Sequence, residues 1–289
     1  MLLATLIAAG ALSPGDVATA SDALRAAGGA PGQGGWIDAG EACDLPVGGL
    51  SHSVARAALE AALPGVDIVV QMATAPRARR LLIADMDSTM IECECIDELA
   101  DYAGLKPQVA AITEAAMRGE LDFAAALDAR VALLAGMDAA IIDRCRAERV
   151  RLTPGAKTLV ATMTARGART ILVSGGFTAF AGPVGAELGF DRVVANRLLV
   201  EGGRLTGKVA RPIVDAATKL AELNGAGVPL AETLAVGDGA NDIPMLSGAG
   251  LGVAYRAKPT AAAAADAALR VGDLRALLWA QGIARAGWA

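Results

Sequence analysis

Two carboxylates stand one residue apart directly after a short apolar run. Asp85 and Asp87 follow the segment 81–84, which has the composition of a buried strand. Two acids in this position repel each other and lose hydration unless a cation shares their site. Carboxylate oxygens are preferred ligands of Mg²⁺. The pair therefore predicts a divalent metal site, and a solvated turn at the end of the strand is the alternative for the pair taken alone.

Two further apolar runs end in residues that could hold a metal or a phosphate. Asp238 lies in a Gly-Asp-Gly sequence, where the glycines permit close backbone approach and the acid can supply another oxygen ligand. Ser174 is followed by Gly175 and Gly176, which offer a hydroxyl and free amides for phosphate oxygens. The Ser-Gly-Gly motif is weak alone, but the three motifs together predict a phosphate site beside a metal.

The elements that must position these residues follow from the spacing of the apolar runs. From residue 81 onward, apolar runs that end in Asp85, Ser174, Asn196 and Asp238 alternate with alanine-rich helical patterns. This alternation predicts an α/β fold with a Rossmann-like parallel sheet covered by helices on both faces. Ligands bind at the carboxyl ends of the strands in such sheets, where all four polar residues would lie.

Two segments interrupt that alternation. The stretch 96–152 is helical in pattern and much longer than the usual connection of about 2–6 residues, which predicts an inserted helical cap over the strand ends. The runs 197–200 and 204–207 flank Glu-Gly-Gly and predict a β-hairpin.

The first part of the chain has a different organisation. Its pattern predicts strand 2–8, helix 21–27, strands 34–39 and 42–46, helix 54–62 and strand 66–72. This order is typical of a small α+β module of the ferredoxin-like kind. The segment 74–80, with one proline and three arginines, predicts a linker. We therefore expect a module at 1–79 and a core at 80–289.

Composition limits the classes of partner. The 289 residues carry a net charge of −5, which disfavours a general nucleic-acid partner. No segment reaches the roughly 20 consecutive apolar residues of a membrane span, so we expect no membrane partner and a cytoplasmic location. The four cysteines lack disulfide-framework spacing and are interpreted as reduced thiols.

The three motifs together resemble the haloacid dehalogenase-like (HAD) phosphatase superfamily over residues 81–273. Within that superfamily, the continuation 88–99 and the cap segment 117–131 are similar to those of phosphoserine phosphatases. The N-terminal module is similar in pattern to the ACT-like domain of some bacterial members. The resemblance implies the HAD fold, Mg²⁺ as cofactor and hydrolysis of O-phospho-L-serine in the last step of serine synthesis.

The resemblance also implies roles for the acids. Asp85 would be the nucleophile that forms an aspartyl phosphate, and Asp87 the general acid and base. Asp85, Asp87 through its backbone carbonyl, and Asp238 would hold Mg²⁺. Asp242 would orient these ligands from behind.

Phosphate binding is assigned on the same basis. Ser174, the amide of Gly175 and a lysine would neutralise the phosphate charge. Lys219 is the first choice for the lysine, and Lys208 beside the hairpin is the alternative. The stretch from Lys219 to Val228 is about one helical turn shorter than in the family, so the position of Lys219 needs the structure.

Recognition of the serine part falls to residues of the cap and of the Asp238 loop. By resemblance, Glu94 would bind the substrate ammonium and Arg130 its carboxylate, while Asn241 would also contact the substrate. Met117 and Phe123 would form an apolar lid. Surface ion pairs for Glu94 and Arg130, and core packing for Met117 and Phe123, are the alternatives.

Other functions stay open at this point. One is a HAD phosphatase of another small phosphate ester, and another is a phosphoacceptor signalling protein in which Asp85 holds phosphate. The ACT-like module leaves open amino-acid binding or a homodimer. A small-molecule substrate, O-phospho-L-serine, is the partner we expect.

Overall fold

The computed structural model describes residues 1–8, 10–117 and 120–289, except for the side chain of Met117. The strands are β1 (Leu2–Ile7), β2 (Ala30–Pro31), β3 (Gly35–Asp38), β4 (Ala42–Gly48), β5 (Asp67–Met72), β6 (Leu81–Ala84), β7 (Arg169–Phe177), β8 (Arg192–Asn196), β9 (Leu198–Glu201), β10 (Arg204–Val209), β11 (Thr233–Gly237), β12 (Leu251–Tyr255) and β13 (Ala267–Leu269). The helices are α1 (Pro14–Ala26), α2 (His52–Ala62), α3 (Cys95–Tyr102), α4 (Lys106–Met117), α5 (Phe123–Ala132), α6 (Ala140–Arg149), α7 (Ala156–Ala165), α8 (Thr178–Leu188), α9 (Ala216–Gly225), α10 (Ile243–Gly248), α11 (Pro259–Ala264) and α12 (Ala276–Ala280).

A parallel sheet forms the centre of the molecule, as the sequence predicts. Its strands lie in the order β13-β12-β11-β6-β7-β8, and each neighbouring pair is parallel. The change of direction in strand order lies at β6, and all four residues of β6 are buried because it lies between β11 and β7 in the middle of the sheet. The fold class is confirmed, with a Rossmann-like sheet of the kind that binds ligands at its carboxyl edge.

Helices cover both faces of this sheet because its side chains alternate between two apolar cores. Leu82 and Ala84 belong to the core beneath α7, α8 and α12. Leu81 and Ile83 belong to the opposite core, to which α9 contributes Leu223 and α10 further residues. A strand buried on both faces must be apolar at every position, which is why β6 shows no polar alternation.

Five described α-helices lie between β6 and β7, and the first four of them, α3 to α6, form the helical insertion that the sequence predicts. The segments that enter and leave them pair as an antiparallel bridge at Ile91 and Leu152. Helix α5 packs against β10 of the predicted hairpin, which pairs antiparallel with β9.

The N-terminal elements follow the predicted order with two differences. Helix α1 begins at Pro14, seven residues before the predicted start, because Ser13 and Asp16 form a capping box there. The predicted strand 34–39 is preceded by the separate short strand β2, and both β2 and β3 pair with β4. The sheet order β4-β1-β5 and the two helices on one face complete a ferredoxin-like arrangement.

This N-terminal sheet is continuous with the central sheet, a feature that the sequence does not predict. Strand β5 pairs antiparallel with β13 at Ile68 and Ala268. Beside that pair, the buried carboxylate of Asp67 accepts hydrogen bonds from three consecutive backbone amides, those of residues 270–272. The division of the chain at residues 79 and 80 stays a prediction.

Two expectations from composition can be compared with the fold. All four cysteines are free thiols. Among the described residues, no helix is both long and apolar enough to cross a membrane.

Candidate active site

Four adjacent strands bring the predicted polar residues to one edge of the sheet. Strands β11, β6 and β8 end at or next to Asp238, Asp85 and Asn196, and Ser174 lies near the end of β7, three residues before its last residue. The amide of Asp85 donates to the carbonyl of Val236 at 3.0 Å, so that residue continues the pairing of β6 with β11. Parallel register thus makes a single site from segments that are far apart in sequence.

Lys219 lies at the centre of this edge between two acids. Its Nζ is 2.8 Å from Asp85 Oδ1 and 2.6 Å from Asp242 Oδ1, and its side chain is fully buried. Burial alone would lower the pKa of Lys219, but the charges of Asp85 and Asp242 raise it, which keeps the ammonium protonated. The other predicted lysine, Lys208, is exposed on β10.

Asp242 uses both of its oxygens within the protein. Oδ1 accepts from Lys219, and Oδ2 accepts from the amides of Asp238 and Gly239 at 3.1 and 3.0 Å. A Cβ at Gly237 would lie 2.5 Å from Asp242 Oδ2, so only glycine permits this close approach. Asp242 therefore fixes the Gly-Asp-Gly turn and the lysine, and each of its oxygens already accepts at least one hydrogen bond.

Asp85 and Asp238 keep oxygens available. Asp85 Oδ1 accepts from the Met86 amide at 2.7 Å and from Lys219, while Oδ2 has no partner among the described residues. The Asp238 carboxylate accepts no hydrogen bond from that part of the chain. Burial and the nearby charge of Glu94 raise the pKa of Asp238 to about 7.

These features fit a hard divalent cation. Carboxylate oxygens of Asp85, Asp238 and Asp242 lie within 4.8 Å of one another. Burial, with the Asp242 charge next, also raises the pKa of Asp85 well above its ordinary value. A partly buried acidic cluster with open oxygens and too little positive charge is the donor set that such a cation completes.

Asp87 lies in the tight turn Met86–Met90 that follows β6, and its own backbone is non-helical, with φ −63° and ψ 135°. Its Oδ1 accepts from the Cys95 amide at 3.3 Å. A Cβ at Gly176 would lie 2.8 Å from Asp87 Oδ2, so the acid packs directly against the glycines that follow Ser174. Burial and then the charge of Glu94 raise the pKa of Asp87 to about 7, which suits a group that gives and takes a proton near neutral pH.

The Ser-Gly-Gly segment (Ser174, Gly175 and Gly176) is where β7 loses regular pairing with β8. The Ser174 side chain is buried, and its Oγ accepts from the Gly176 amide at 2.8 Å. The hydroxyl hydrogen of Ser174 therefore stays available to a ligand. A buried hydroxyl beside this acidic cluster can donate a hydrogen bond to a phosphate oxygen and orient it.

The sequence profile of the haloacid dehalogenase-like hydrolase family matches residues 82–247, more than half of the chain. The chain belongs to this family. It is 49% identical over 251 residues to the phosphoserine phosphatase of Streptomyces coelicolor, covering 84% of this chain and 61% of that protein. It is 48% identical over 202 residues to the phosphoserine phosphatase of Idiomarina loihiensis, covering 68% of this chain and 91% of that protein. The chain thus spans about three fifths of the longer relative.

A solved structure described as a HAD family hydrolase, t0658 from Salmonella enterica serovar Typhi, extends the likeness to nearly the whole chain. It superposes with a TM-score of 0.82 and 27% identity, and the match covers 99% of each chain. The N-terminal elements and the HAD core therefore occur together in a second protein of the family.

The residues predicted to recognise the substrate of this HAD hydrolase are less closely grouped than the acids around Lys219. Glu94 is exposed and accepts from Ser88 Oγ at 2.7 Å. Phe123 reaches the Ser-Gly-Gly segment, because a Cβ at Gly175 would lie 3.1 Å from its Cζ. Arg130 is partly buried, and its Nε donates to Ala126 O within its own helix at 3.2 Å.

Two other predicted contacts have different outcomes. Asn241 lies half-buried in the turn Ala240–Asp242, against Gly239 and next to Asp242. The side chain of Met117 lies outside the described part of the structure, so its lid role stays a prediction.

One residue at the site received no role from sequence reasoning. Asn196 ends β8 and is buried, and its side chain makes three hydrogen bonds at this edge. Its position at the end of an apolar run was the available signal, but no motif gave it a function.

Proposed function

We propose that this chain hydrolyses O-phospho-L-serine to L-serine and phosphate through an aspartyl phosphate on Asp85, with Mg²⁺ as cofactor. The observation that carries the proposal is the buried Asp85–Lys219–Asp242 network beside the Ser-Gly-Gly segment. High identity to proteins named phosphoserine phosphatase supports the choice of substrate. A cytoplasmic location and the last step of serine synthesis belong to the same proposal.

In this reaction Asp85 attacks phosphorus. The Met86 amide and the Lys219 ammonium hold Oδ1, which restricts rotation of the carboxylate and leaves Oδ2 open. The charge of Lys219 also opposes the rise in the pKa of Asp85 that burial causes, which favours the ionised nucleophile. Restricted orientation of a nucleophile removes part of the entropic barrier to attack.

Asp87 moves the protons in both half-reactions. Its protonated carboxyl gives a proton to the serine oxygen as the phosphorus–oxygen bond to serine breaks. The resulting carboxylate then takes a proton from water, whose oxygen attacks the phosphorus of the aspartyl phosphate and restores the Asp85 carboxylate. A pKa of about 7 allows both roles, which is typical of general acid–base catalysts.

The remaining groups bind the phosphate and the cation. Ser174 donates its hydroxyl hydrogen, and the Gly175 amide with Lys219 adds positive potential. Asp85, the backbone carbonyl of Asp87 and Asp238 would hold Mg²⁺, which when bound offsets the charge of the phosphate and of the acids. Asp242 supports this set through Lys219 and the Asp238 amide.

Substrate selection is assigned to the cap side of the site. Glu94 would pair with the ammonium and Arg130 with the carboxylate of the amino acid. Phe123 and Arg130 lie seven residues apart on α5, so they share a helix face and are separated by about 10 Å along the axis. The aromatic ring would then cover the phosphate end while the guanidinium reaches past it.

The test compares phosphate release from O-phospho-L-serine, O-phospho-L-threonine and p-nitrophenyl phosphate, each with and without Mg²⁺. We expect metal-dependent turnover with strong preference for phosphoserine, and loss of turnover by at least about 10⁴-fold in Asp85→Asn with unchanged thermal stability. Appreciable turnover by that variant would remove Asp85 as the nucleophile. An Arg130→Ala variant should raise KM for phosphoserine and leave p-nitrophenyl phosphate unaffected.

A second candidate is a HAD phosphatase of another small phosphate ester. The observation that favours it is the full-length structural likeness to a protein described only as a HAD family hydrolase. Metal-dependent turnover without preference for phosphoserine, unchanged by Arg130→Ala, would select this candidate and keep the catalytic assignments.

A further inference from the structure

Asn196 joins two parts of the active site that come from different segments of the chain. Its Nδ2 donates to Gly175 O at 2.8 Å and to Val214 O at 3.3 Å, and its Oδ1 accepts from the Val214 amide at 2.8 Å. The side chain is buried. The three hydrogen bonds of the side chain therefore all go to backbone groups, and Nδ2 has no donor left for a ligand.

The bond to Gly175 controls the direction of a catalytic hydroxyl. The carbonyl of Gly175 and the amide of Gly176 belong to one planar trans peptide, so they point in opposite directions. Asn196 holds the carbonyl, and the amide donates to Ser174 Oγ at 2.8 Å. Because that oxygen already accepts a hydrogen bond, its own hydrogen is directed elsewhere, toward the phosphate site.

The bonds to Val214 reach the helix that carries the lysine. Val214 precedes Asp215, whose side chain caps α9 by accepting from the Thr218 amide at 2.9 Å. The Lys219 amide donates to Asp215 O at 3.0 Å in the first turn of the same helix. Asn196 thus fixes the start of α9 relative to the Ser-Gly-Gly segment.

We infer that Asn196 is a positioning residue that sets the Ser174 hydroxyl and the Lys219 helix in register around the phosphate. This inference rests on the proposed function only in the assumption that phosphate binds beside Ser174 and Lys219. Asparagine is suited because one planar group must both donate to carbonyls and accept from an amide. An aspartate in its place would keep the acceptor but turn a carboxylate oxygen toward the carbonyls of Gly175 and Val214.

The experiment uses Asn196→Asp and Asn196→Ala in the full chain, with Asn224→Asp at an exposed position of α9 as the matched control. We expect kcat to fall by about 10- to 100-fold for both O-phospho-L-serine and p-nitrophenyl phosphate. The inhibition constant of inorganic phosphate should rise in the same variants, which means weaker phosphate binding. The ratio of KM values for the two substrates should stay the same. The control should match the parent protein.

Three further readouts separate positioning from a purely structural role. Rates are divided by the folded fraction from circular dichroism at the assay temperature. The Asn196→Asp to parent rate ratio should rise as the pH is lowered, since protonation of the introduced carboxyl restores a donor. With Ser174→Ala, a double-mutant cycle should show strong non-additivity.

The inference is overturned if corrected rates and phosphate inhibition stay within two-fold of the parent, or if the cycle is additive. Failure of the proposed substrate alone would appear differently, as absent turnover of phosphoserine by the parent protein while p-nitrophenyl phosphate still reports on Asn196.

Discussion

Buried carboxylates occur in two regions of this molecule, and their partners differ. Where β5 meets β13, Asp67 accepts from the backbone amides of residues 270, 271 and 272 at 2.7, 3.1 and 2.7 Å. At the carboxyl edge of the sheet, Asp238 accepts no hydrogen bond from the described residues, and Asp85 keeps Oδ2 open. The first carboxylate is satisfied by its own chain, whereas the others keep lone pairs for a ligand.

This difference separates a part of the protein built for stability from a part built for binding. A carboxylate taken out of water without partners disfavours the folded state. Asp67 has its partners in the free protein. Among the described residues, Asp85 lacks a partner for Oδ2 and the Asp238 carboxylate lacks one altogether, so a cation that binds them should stabilise the fold by linkage.

Removal of the Lys219 ammonium, which lies between Asp85 and Asp242, should have the largest effect on stability and turnover. We expect Lys219→Met to lower the free energy of unfolding by about 3–5 kcal/mol, because it leaves Asp85 and Asp242 buried without a counter-charge. Turnover should fall by about 10²–10³-fold. Denaturant unfolding and steady-state phosphate release measure the two effects.

The matched control is Lys208→Met, since that lysine is exposed. It should leave both quantities unchanged. Equal loss of turnover in the two variants would break the distinction between the buried lysine and the exposed one.

A change at the junction should affect stability without affecting chemistry. Asp67→Asn replaces one acceptor oxygen by an NH₂ group that faces a backbone donor, so we expect a loss of about 1–3 kcal/mol. Turnover by the folded fraction should equal that of the parent protein. Thermal denaturation measures the loss of stability, and kcat divided by the folded fraction measures turnover. A fall in that corrected kcat would show that the junction acts on the site.

The smallest effect that we expect is a dependence of stability on pH, which comes from the acids at the carboxyl edge of the sheet. Burial, followed by the charge of Glu94, raises the pKa of both Asp87 and Asp238 to about 7. The folded state then binds more protons than the unfolded state, so the stability this provides is full below about pH 4 and is lost as the pH rises through about 7.

A divalent cation needs the Asp238 carboxyl unprotonated and should reverse the part of the loss that comes from Asp238. We expect the rise in Tm on adding Mg²⁺ to be larger at pH 8 than at pH 5.5, with NaCl of equal ionic strength as the control. An equal or larger rise at pH 5.5 would contradict the raised pKa values.

Much of this arrangement is predictable from local sequence. A strand buried on both faces must be an apolar run, so β6, β7, β8 and β11 are visible as runs, and the residues after them lie at one edge of the sheet. The capping box at Ser13 and Asp16 is an equally local signal, and it marks the start of α1 seven residues before the predicted helix 21–27.

The remaining features depend on contacts between distant segments. The pairing of β5 with β13 has no signal in either strand, because any apolar strand edge could accept a partner. The choice of Lys219 over Lys208 depends on how far α9 reaches toward Asp85. The hydrogen bonds of Asn196 connect backbone groups that only the folded chain brings together.

The continuous sheet also affects the order in which the chain can fold during synthesis. The bond from the Arg270 amide to Asp67 spans 203 residues, and the bond from Gln71 to the carbonyl of Ala280 spans 209. Contacts of such long range form late, after the intervening segments exist and have collapsed. As the ribosome releases the chain from its N-terminus, the edge of β5 stays uncovered until β13 emerges, and it is exposed to other strands throughout that interval.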